Sequence, residues 1–145
     1  MKDCLIIGAC FGITYDEIVD LFKEDKIRAG YTTSYYFVDD SGNTIRIGEC
    51  FWYTTLTIDK TKMLRLAKST KTYNESDYPK YDDLDAINVN SYKDIPVDYD
   101  GPIGVPASYL LRGNNDNYEI LYGPLRPKLN GKTKFPRVII RRKGE

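Results

Sequence analysis

The chain has 145 residues, of which 41% are apolar and 29% are charged, and its 21 basic and 21 acidic residues give a formal net charge of zero. A chain of this length fits one domain with a sizeable core, and its composition gives no indication of a disordered tail. No apolar run approaches the roughly 20 residues that a membrane-spanning helix needs. Residues 1–7 lack the long apolar segment of a signal peptide. We therefore expect a cytoplasmic protein with a single domain over residues 1–145.

The residue types that most often carry enzyme chemistry are scarce. Histidine is absent, which excludes Ser-His, Cys-His and His-ligated metal sites. Cys4, Cys10 and Cys50 form no Cys-x-x-Cys pair, and two of them lie in apolar runs. We interpret them as core thiols rather than as nucleophiles or metal ligands. Any catalysis would therefore need carboxylates, Lys or Tyr.

The first elements are a strand and a helix. Residues 4–7 (CLII) form a short apolar run that ends at Gly8 and predicts a buried strand. A helix is expected next, because Thr14 can cap its backbone amides and Glu17, three residues later, can complete a capping box. Apolar residues then recur at helical spacing, and the helix is expected to end near Asp25.

A β-hairpin is expected after the helix. Residues 35–38 and 44–47 are rich in β-branched and aromatic residues, and they flank DDSGN at 39–43, a dense cluster of turn formers. The second strand is expected to continue towards residue 56, with Gly48 at a bulge or a close backbone approach. Residues 63–67 (MLRLA) leave strand and helix open, because so short an apolar run does not fix its period.

The second half of the chain is dominated by a polar segment. Residues 73–106 consist mostly of Asp, Asn, Tyr, Lys and Pro, with two short apolar stretches, and long ordered loops of this kind are usually functional. Two final strands are expected at residues 118–121 and 137–140, joined through the turn dipeptide Asn130-Gly131. The pattern predicts an α+β fold: a strand-rich single domain whose mixed sheet carries one main N-terminal helix.

Two local motifs have both a functional and a structural interpretation. Residues 8–12 (GACFG) lie between a strand and a helix, where a glycine loop can meet a nucleotide or S-adenosylmethionine. Two glycines four apart match neither the dinucleotide fingerprint nor a P-loop, which favours a structural turn. Six aspartates could collect Mg²⁺ or Ca²⁺, but the EF-hand spacing is absent and a solvated loop with Asp as turn and cap residue is favoured. They are Asp82, Asp83, Asp85, Asp94, Asp98 and Asp100.

Tyrosines and basic residues form the remaining candidate surfaces. The chain has 13 tyrosines, and those of the polar segment can stack on a flipped or single-stranded base. They can equally pack beneath loops or form a protein-binding surface, and the sequence leaves these alternatives open. Basic residues collect between residues 128 and 143, where they would give a neutral body one basic edge.

The polar segment carries a family resemblance. Residues 78–89 (YPKYDDLDAINV), followed by KDIP at 93–96, DYDG at 98–101 and GVP at 104–106, resemble the adenine-specific methyltransferases of the EcoRI-methylase family. Further agreement comes from residues 5–8, 13–15, 118–120, 129–132 and 137–142, so the resemblance covers nearly the whole chain. It implies methyl transfer from S-adenosylmethionine to the exocyclic amine of adenine, with the base turned out of the duplex.

The chain departs from this family at the catalytic motif. Family members hold the adenine amine with an Asn-Pro-Pro-Phe-type motif, and no Pro-Pro pair occurs in this sequence. The resemblance places that motif and the main cofactor loop upstream of the segment similar to residues 5–15. It therefore implies a carboxyl-terminal, non-catalytic half, with no catalytic, cofactor-binding or metal residue to assign. S-adenosylmethionine is expected only where a catalytic partner half exists.

Two functions are favoured by the sequence, and a third, a complete small enzyme, is placed last. The first is a DNA-binding specificity module of a split or relic adenine methyltransferase, with duplex DNA and/or a catalytic half as partners. The second is a phage or mobile-element protein that binds and inhibits a host defence nuclease, which the zero net charge and a Tyr-rich, acidic surface would suit. The candidate binding residues are Tyr78, Tyr81, Tyr92, Tyr99, Lys132, Lys134, Arg137, Arg141 and Arg142.

Overall fold

The computed structural model describes residues 2–58, 69–112 and 117–144, and the ambiguous segment 63–67 lies outside them. Strands dominate these residues, and the predicted α+β class is confirmed. The strands are β1 (Leu5–Ala9), β2 (Arg28–Val38), β3 (Thr44–Thr54), β4 (Ile87–Asn88), β5 (Ile103–Pro106), β6 (Tyr118–Leu125), β7 (Lys128–Leu129), β8 (Lys132–Thr133) and β9 (Arg137–Arg142). The helices are α1 (Asp16–Lys23) and α2 (Tyr109–Arg112), with 3-10 turns at Cys10–Thr14 and Tyr92–Asp94.

The first sheet is antiparallel and has the order β1-β3-β2. It contains the predicted hairpin, β2 to β3. The Asp39 carboxylate stabilises the turn by accepting hydrogen bonds from the backbone N–H groups of Ser41 (2.9 Å) and Asn43 (2.8 Å). The register shifts opposite residues 46–50 of β3, where Gly48 has a φ of +104° and open space on the side where a Cβ would stand. The Gly48 prediction is therefore confirmed as a bulge.

Strand β1 is present as predicted, but the prediction that it is buried is wrong. Leu5 and Ile6 are 58% and 55% exposed. The reason is that β1 is the edge strand of a three-stranded sheet and hydrogen-bonds only with β3 among the described residues. A short apolar run predicts a strand but cannot show whether anything covers it.

Helix α1 is confirmed, but its capping box is wrong. The N-cap is Tyr15 without a side-chain hydrogen bond, and the Thr14 hydroxyl instead donates to the carbonyl oxygen of Phe11 (2.7 Å) within the preceding 3-10 turn. The helix ends at Lys23, and Asp25 has a φ of +53°, which reverses the chain. The Lys23 ammonium donates to the carbonyl oxygen of Leu121 in β6 (2.6 Å), so that α1 lies beside the second sheet.

The second sheet is mixed, as predicted, and has the order β4-β5-β9-β6. Strands β4 and β5 are parallel, whereas β9 is antiparallel to both β5 and β6. The polar segment supplies β4 and β5, and Ile87 and Ile103 in these strands are fully buried. The expected loop thus contributes one edge strand and one inner strand of this sheet. Asn130-Gly131 does not join the last two strands directly but turns the small hairpin β7–β8 between them.

One core cluster draws on both sheets and on α1. It includes Val19 of the helix, Phe51 and Tyr53 of β3, and Ile87 and Val138 of the second sheet. Cys50 is buried and the thiols of Cys4 and Cys10 are half-buried, and all three are free. Burial raises the pKa of the Cys10 thiol, which suits a core thiol. Over the three described stretches, no helix is long and apolar enough to span a bilayer.

Candidate functional site

Residues 126–136 (RPKLNGKTKFP) form a largely exposed structure that we call the basic hairpin. It is built on β7 and β8, with Leu129 paired to Lys132. Asn130 and Gly131 have φ values of +51° and +74°, the left-handed conformations that a two-residue hairpin turn requires. Asn and Gly adopt them with little strain, which is why this dipeptide lies at the turn.

Two aspartates of the polar segment hold the turn of the basic hairpin. The Asp82 carboxylate accepts hydrogen bonds from the backbone N–H groups of Asn130 (3.1 Å) and Gly131 (2.7 Å). The Asp83 carboxylate accepts one from the N–H of Lys128 (2.9 Å), whose carbonyl in turn accepts from the N–H of Asp82 (2.8 Å). These two aspartates thus stabilise a turn 45 to 49 residues away, a role that the expected solvated loop did not include.

The base of the basic hairpin is also fixed. The N–H of Lys134 donates to the carbonyl of Pro127 (2.8 Å), and the N–H of Ala107 donates to the carbonyl of Pro136 (3.0 Å). Leu129 is buried in a small cluster with Tyr81, Ala86 and Ile139. The hairpin is therefore clamped at its turn, its middle and its base, and its exposed side chains have a defined position.

The basic hairpin is positively charged. It contains Arg126, Lys128, Lys132 and Lys134 and no acidic residue. Three of these cations are exposed and Lys134 is half-buried. None of them forms an ion pair with a described residue. When the carboxylates of Asp82 and Asp83 are counted against the four cations, a net charge of +2 remains at the basic hairpin. This charge suits a polyanionic ligand.

The structure divides the basic edge expected from the sequence into two patches. Lys132 and Lys134 lie on the basic hairpin, before β9, whereas Arg141 and Arg142 lie at its far end. Five steps of about 3.3 Å put Arg142 roughly 17 Å from Arg137 along the strand. Arg141 is paired with Glu119 through Nε (3.0 Å) and an Nη atom (2.7 Å), and Arg142 donates to the carbonyl of Val97. These two arginines are exposed but already partnered.

Arg137 does not lie on the surface, and its expected phosphate contact needs correction. Its side chain is buried, one Nη atom donates to Asn90 Oδ1 (2.7 Å), and Nε has no hydrogen-bond partner in the described part of the chain. Burial lowers the pKa of this guanidinium. Arg137 belongs to an interior polar network in which the Tyr81 hydroxyl donates to Asn88 Oδ1 (2.9 Å).

Tyr78 and Tyr81 are likewise core residues. The prediction that these two rings stack on a base is wrong, because neither ring has a free face. They are 6% and 5% exposed. The Tyr78 hydroxyl donates to the carbonyl of Asp94 (2.9 Å). Burial raises the pKa of Tyr81 to about 12. A Cβ at Gly104 would stand 2.5 Å from the Tyr81 ring, so the glycine of the family-like GVP sequence makes room for this tyrosine.

Tyr92 and Tyr99 are half-buried and pack on other tyrosines. The Tyr99 ring centroid lies 4.6 Å from that of Tyr73, and the Tyr92 centroid lies 6.5 Å from that of Tyr109. Both tyrosines pack against the main core, which supports the interpretation as packing beneath loops. Their exposed parts remain candidates for a partner surface.

The glycine loop at residues 8–12 is a structural turn. A Cβ at Gly8 would meet the Tyr53 ring at 3.1 Å, and one at Gly12 would meet the Tyr53 hydroxyl at 3.4 Å. That hydroxyl donates to the carbonyl of Ala9 (3.0 Å), and burial raises the pKa of Tyr53 to about 12. Because the Tyr53 ring lies against both glycines, close packing on this tyrosine accounts for them. Within residues 2–58, 69–112 and 117–144, no cluster of three acidic or Cys side chains could hold a metal ion.

Three residues of the basic hairpin are not among the binding residues predicted from the sequence. Arg126 and Lys128 extend its charge, and Phe135 is 85% exposed. The available signal was the spacing: basic residues alternate with other types on both sides of Asn130-Gly131, and an aromatic residue stands directly before a proline.

The two clamping aspartates and most of the basic hairpin lie within a region that matches a known protein family. The family described as adenine-specific methyltransferase EcoRI matches residues 1–134, which include both clamping aspartates and most of the basic hairpin. The chain belongs to this family. The type II methyltransferase M.EcoRI of Escherichia coli is 36% identical over 168 aligned positions, which cover 98% of this chain and 51% of the relative.

Two mycoplasma relatives agree with this assignment. M.MgeORF184P of Mycoplasma genitalium is 28% identical across 97% of this chain, and M.MpnI of Mycoplasma pneumoniae is 30% identical across 83% of it. Both are type II methyltransferases, and the matches cover 57% and 44% of their lengths. The chain thus spans about half the length of the curated relatives that it matches. No solved structure matches it.

Proposed function

We propose that this chain is the DNA-contacting, non-catalytic part of an EcoRI-family adenine methyltransferase. The observation that carries the proposal is the basic hairpin, whose four cations lack ion-pair partners among the described residues and are held in place by Asp82 and Asp83. Lys and Arg side chains that are held in a defined position bind phosphates and set the register of a protein on the duplex. The aspartates that position the hairpin lie within residues 78–89, inside the region that matches the family.

Methyl transfer is assigned to a catalytic half. The amine of adenine must be held by hydrogen-bond acceptors while its nitrogen attacks the methyl group, and the Pro-Pro motif that implies this role is absent from the 145 residues. Since close packing on Tyr53 accounts for the glycines of the loop at residues 8–12, we assign no cofactor to that loop. The catalytic half would be supplied either by a separate chain or by further residues of a longer polypeptide.

The exposed edge of the first sheet supports the proposal that a catalytic half packs against this chain. Strand β1 leaves one row of backbone groups unpaired within the described residues, and Leu5, Ile7 and Trp52 lie on one of its faces with 58%, 37% and 37% exposure. An exposed apolar edge strand is a template for pairing with another strand. A sheet of the catalytic half would cover both the edge and this face. We further propose that residues 1–145 are one folding unit, in keeping with the core shared by both sheets.

Duplex binding tests the proposal directly. Fluorescence anisotropy with a labelled duplex of mixed sequence should show binding at low salt, and four phosphate contacts predict a slope of about −3.6 for log K against log salt. The variant K128A/K132A should lose roughly half of that slope, whereas the control R141A, whose charge is already paired with Glu119, should change it less. Absence of binding at roughly 50 mM salt would contradict the proposal.

A methylation assay tests the catalytic part of the proposal. The chain alone should transfer no labelled methyl group from S-adenosylmethionine to DNA, and activity should return when a catalytic half of an EcoRI-family enzyme is added. Methylation by the chain alone would overturn the assignment. The nuclease-inhibitor alternative stays a prediction, and capture of a defence nuclease in preference to DNA or a methyltransferase half would favour it.

A further inference from the structure

Phe135 is the most exposed large hydrophobic residue in the described part of the chain, at 85%. Both of its neighbours are anchored: the N–H of Lys134 donates to the carbonyl of Pro127 within the same hairpin, and the carbonyl of Pro136 accepts from the N–H of Ala107 outside it. The proline that follows also restricts Phe135 to extended backbone conformations. With both neighbours anchored and its backbone restricted, the Phe135 ring lies in solvent rather than against the core.

The surroundings of Phe135 indicate what it contacts. It lies on the same hairpin as Arg126, Lys128 and Lys132, all of them exposed. An apolar protein partner would have to desolvate these cations without compensation. Duplex DNA offers both features that the hairpin matches: phosphates that neutralise the cations and stacked bases that accept an apolar ring. An exposed aromatic ring beside cations that form no ion pair with a described residue thus favours a nucleic acid over an apolar protein surface.

We propose that Phe135 inserts into duplex DNA and stacks on a base or wedges a base step, while the cations of the basic hairpin hold the flanking phosphates. This inference rests on the proposed DNA contact and adds the element that enters the base stack. Apolar wedges of this kind unstack base steps and kink the duplex. Pyrimidine–purine steps such as TA open most easily, so Phe135 should favour them.

The test uses the whole chain and a duplex that contains TA steps with 2-aminopurine in place of one adenine. Binding of the unchanged protein should raise the 2-aminopurine fluorescence, because the probe brightens when its neighbours unstack. F135A should weaken binding by roughly 5- to 150-fold, the range for loss of one base-stacking aromatic, and abolish the fluorescence rise. F135A removes no charge, so the salt slope should stay the same, and F135W should retain both binding and the fluorescence rise.

Phe11 provides the matched control, because it is also an exposed phenylalanine, at 73%, and lies in the 3-10 turn after β1 rather than on the hairpin. F11A should bind DNA as the unchanged protein does. Duplex binding that F135A leaves intact, or that F11A weakens equally, would overturn this inference while leaving the proposed DNA contact standing. Absence of DNA binding by the unchanged protein would overturn both. Thermal unfolding would confirm that each variant is folded.

Discussion

Replacement of Asp82 by alanine distinguishes two possible roles of the acidic residues beside the basic hairpin. If Asp82 were only a solvated acid, D82A would remove a negative charge close to the DNA-binding surface and strengthen binding. The structure indicates the opposite result. The Asp82 carboxylate accepts hydrogen bonds from the N–H groups of Asn130 (3.1 Å) and Gly131 (2.7 Å), and both would be lost.

The size of the effect follows from these two bonds. A hydrogen bond to a charged group contributes about 1.5–3 kcal/mol, and because both of these bonds are exposed to solvent we take about 1 kcal/mol for each. Loss of about 2 kcal/mol of hairpin docking would lower the DNA affinity by up to roughly 30-fold. D82N, which keeps one acceptor oxygen, should show an intermediate loss.

The matched control is D85A. Asp85 lies in the same loop and carries the same charge, but it pairs with Lys80 (3.0 Å) and does not bond to the basic hairpin in the described structure. D85A should bind DNA as tightly as the unchanged protein, or slightly more tightly. Anisotropy gives the affinities, and hydrogen exchange at the Gly131 amide should be faster in D82A only. Equal affinity of D82A and D85A would refute the clamp.

Three further predictions concern the core and the charges. Gly104→Ala should destabilise the fold by about 1–3 kcal/mol in urea unfolding, because its methyl group would overlap the buried Tyr81 ring, whereas Gly144→Ala, with open space around it, should be neutral. Burial raises the pKa of Tyr53 and Tyr81 to about 12, so between about pH 10 and 12 only the unfolded chain releases their protons. The free energy of unfolding should therefore be unaffected by these two tyrosines below about pH 10 and should fall between about pH 10 and 12. Y53F should reduce this fall. K132A should lower the salt slope of DNA binding by about 0.9. R137M should leave the slope unchanged, because Arg137 is buried. A smaller slope in R137M would show that Arg137 does contact a phosphate.

Local sequence patterns determined most of the strands. Residues 35–38 and 44–47 could be assigned to a hairpin because β-branched and aromatic residues flank a run of turn formers, and turn chemistry acts over only a few residues. The same holds for the Asn130-Gly131 turn, where the two positive φ values favour this dipeptide. Residues 78–89 also carried the family resemblance, because its motif is continuous in sequence.

Burial and contacts between distant residues were decided by the tertiary structure alone. Residues 4–7 predict a buried strand because nothing in an apolar run shows whether it lies at the centre or the edge of a sheet, and β1 lies at the edge. Arg137 and Lys132 are both basic residues near the end of the chain. Arg137 is buried because β9 pairs between β5 and β6, whereas Lys132 lies on the exposed basic hairpin. The clamp from Asp82 to Gly131 joins residues 49 positions apart. No local pattern encodes such a contact, because it depends on which strands the whole chain brings together.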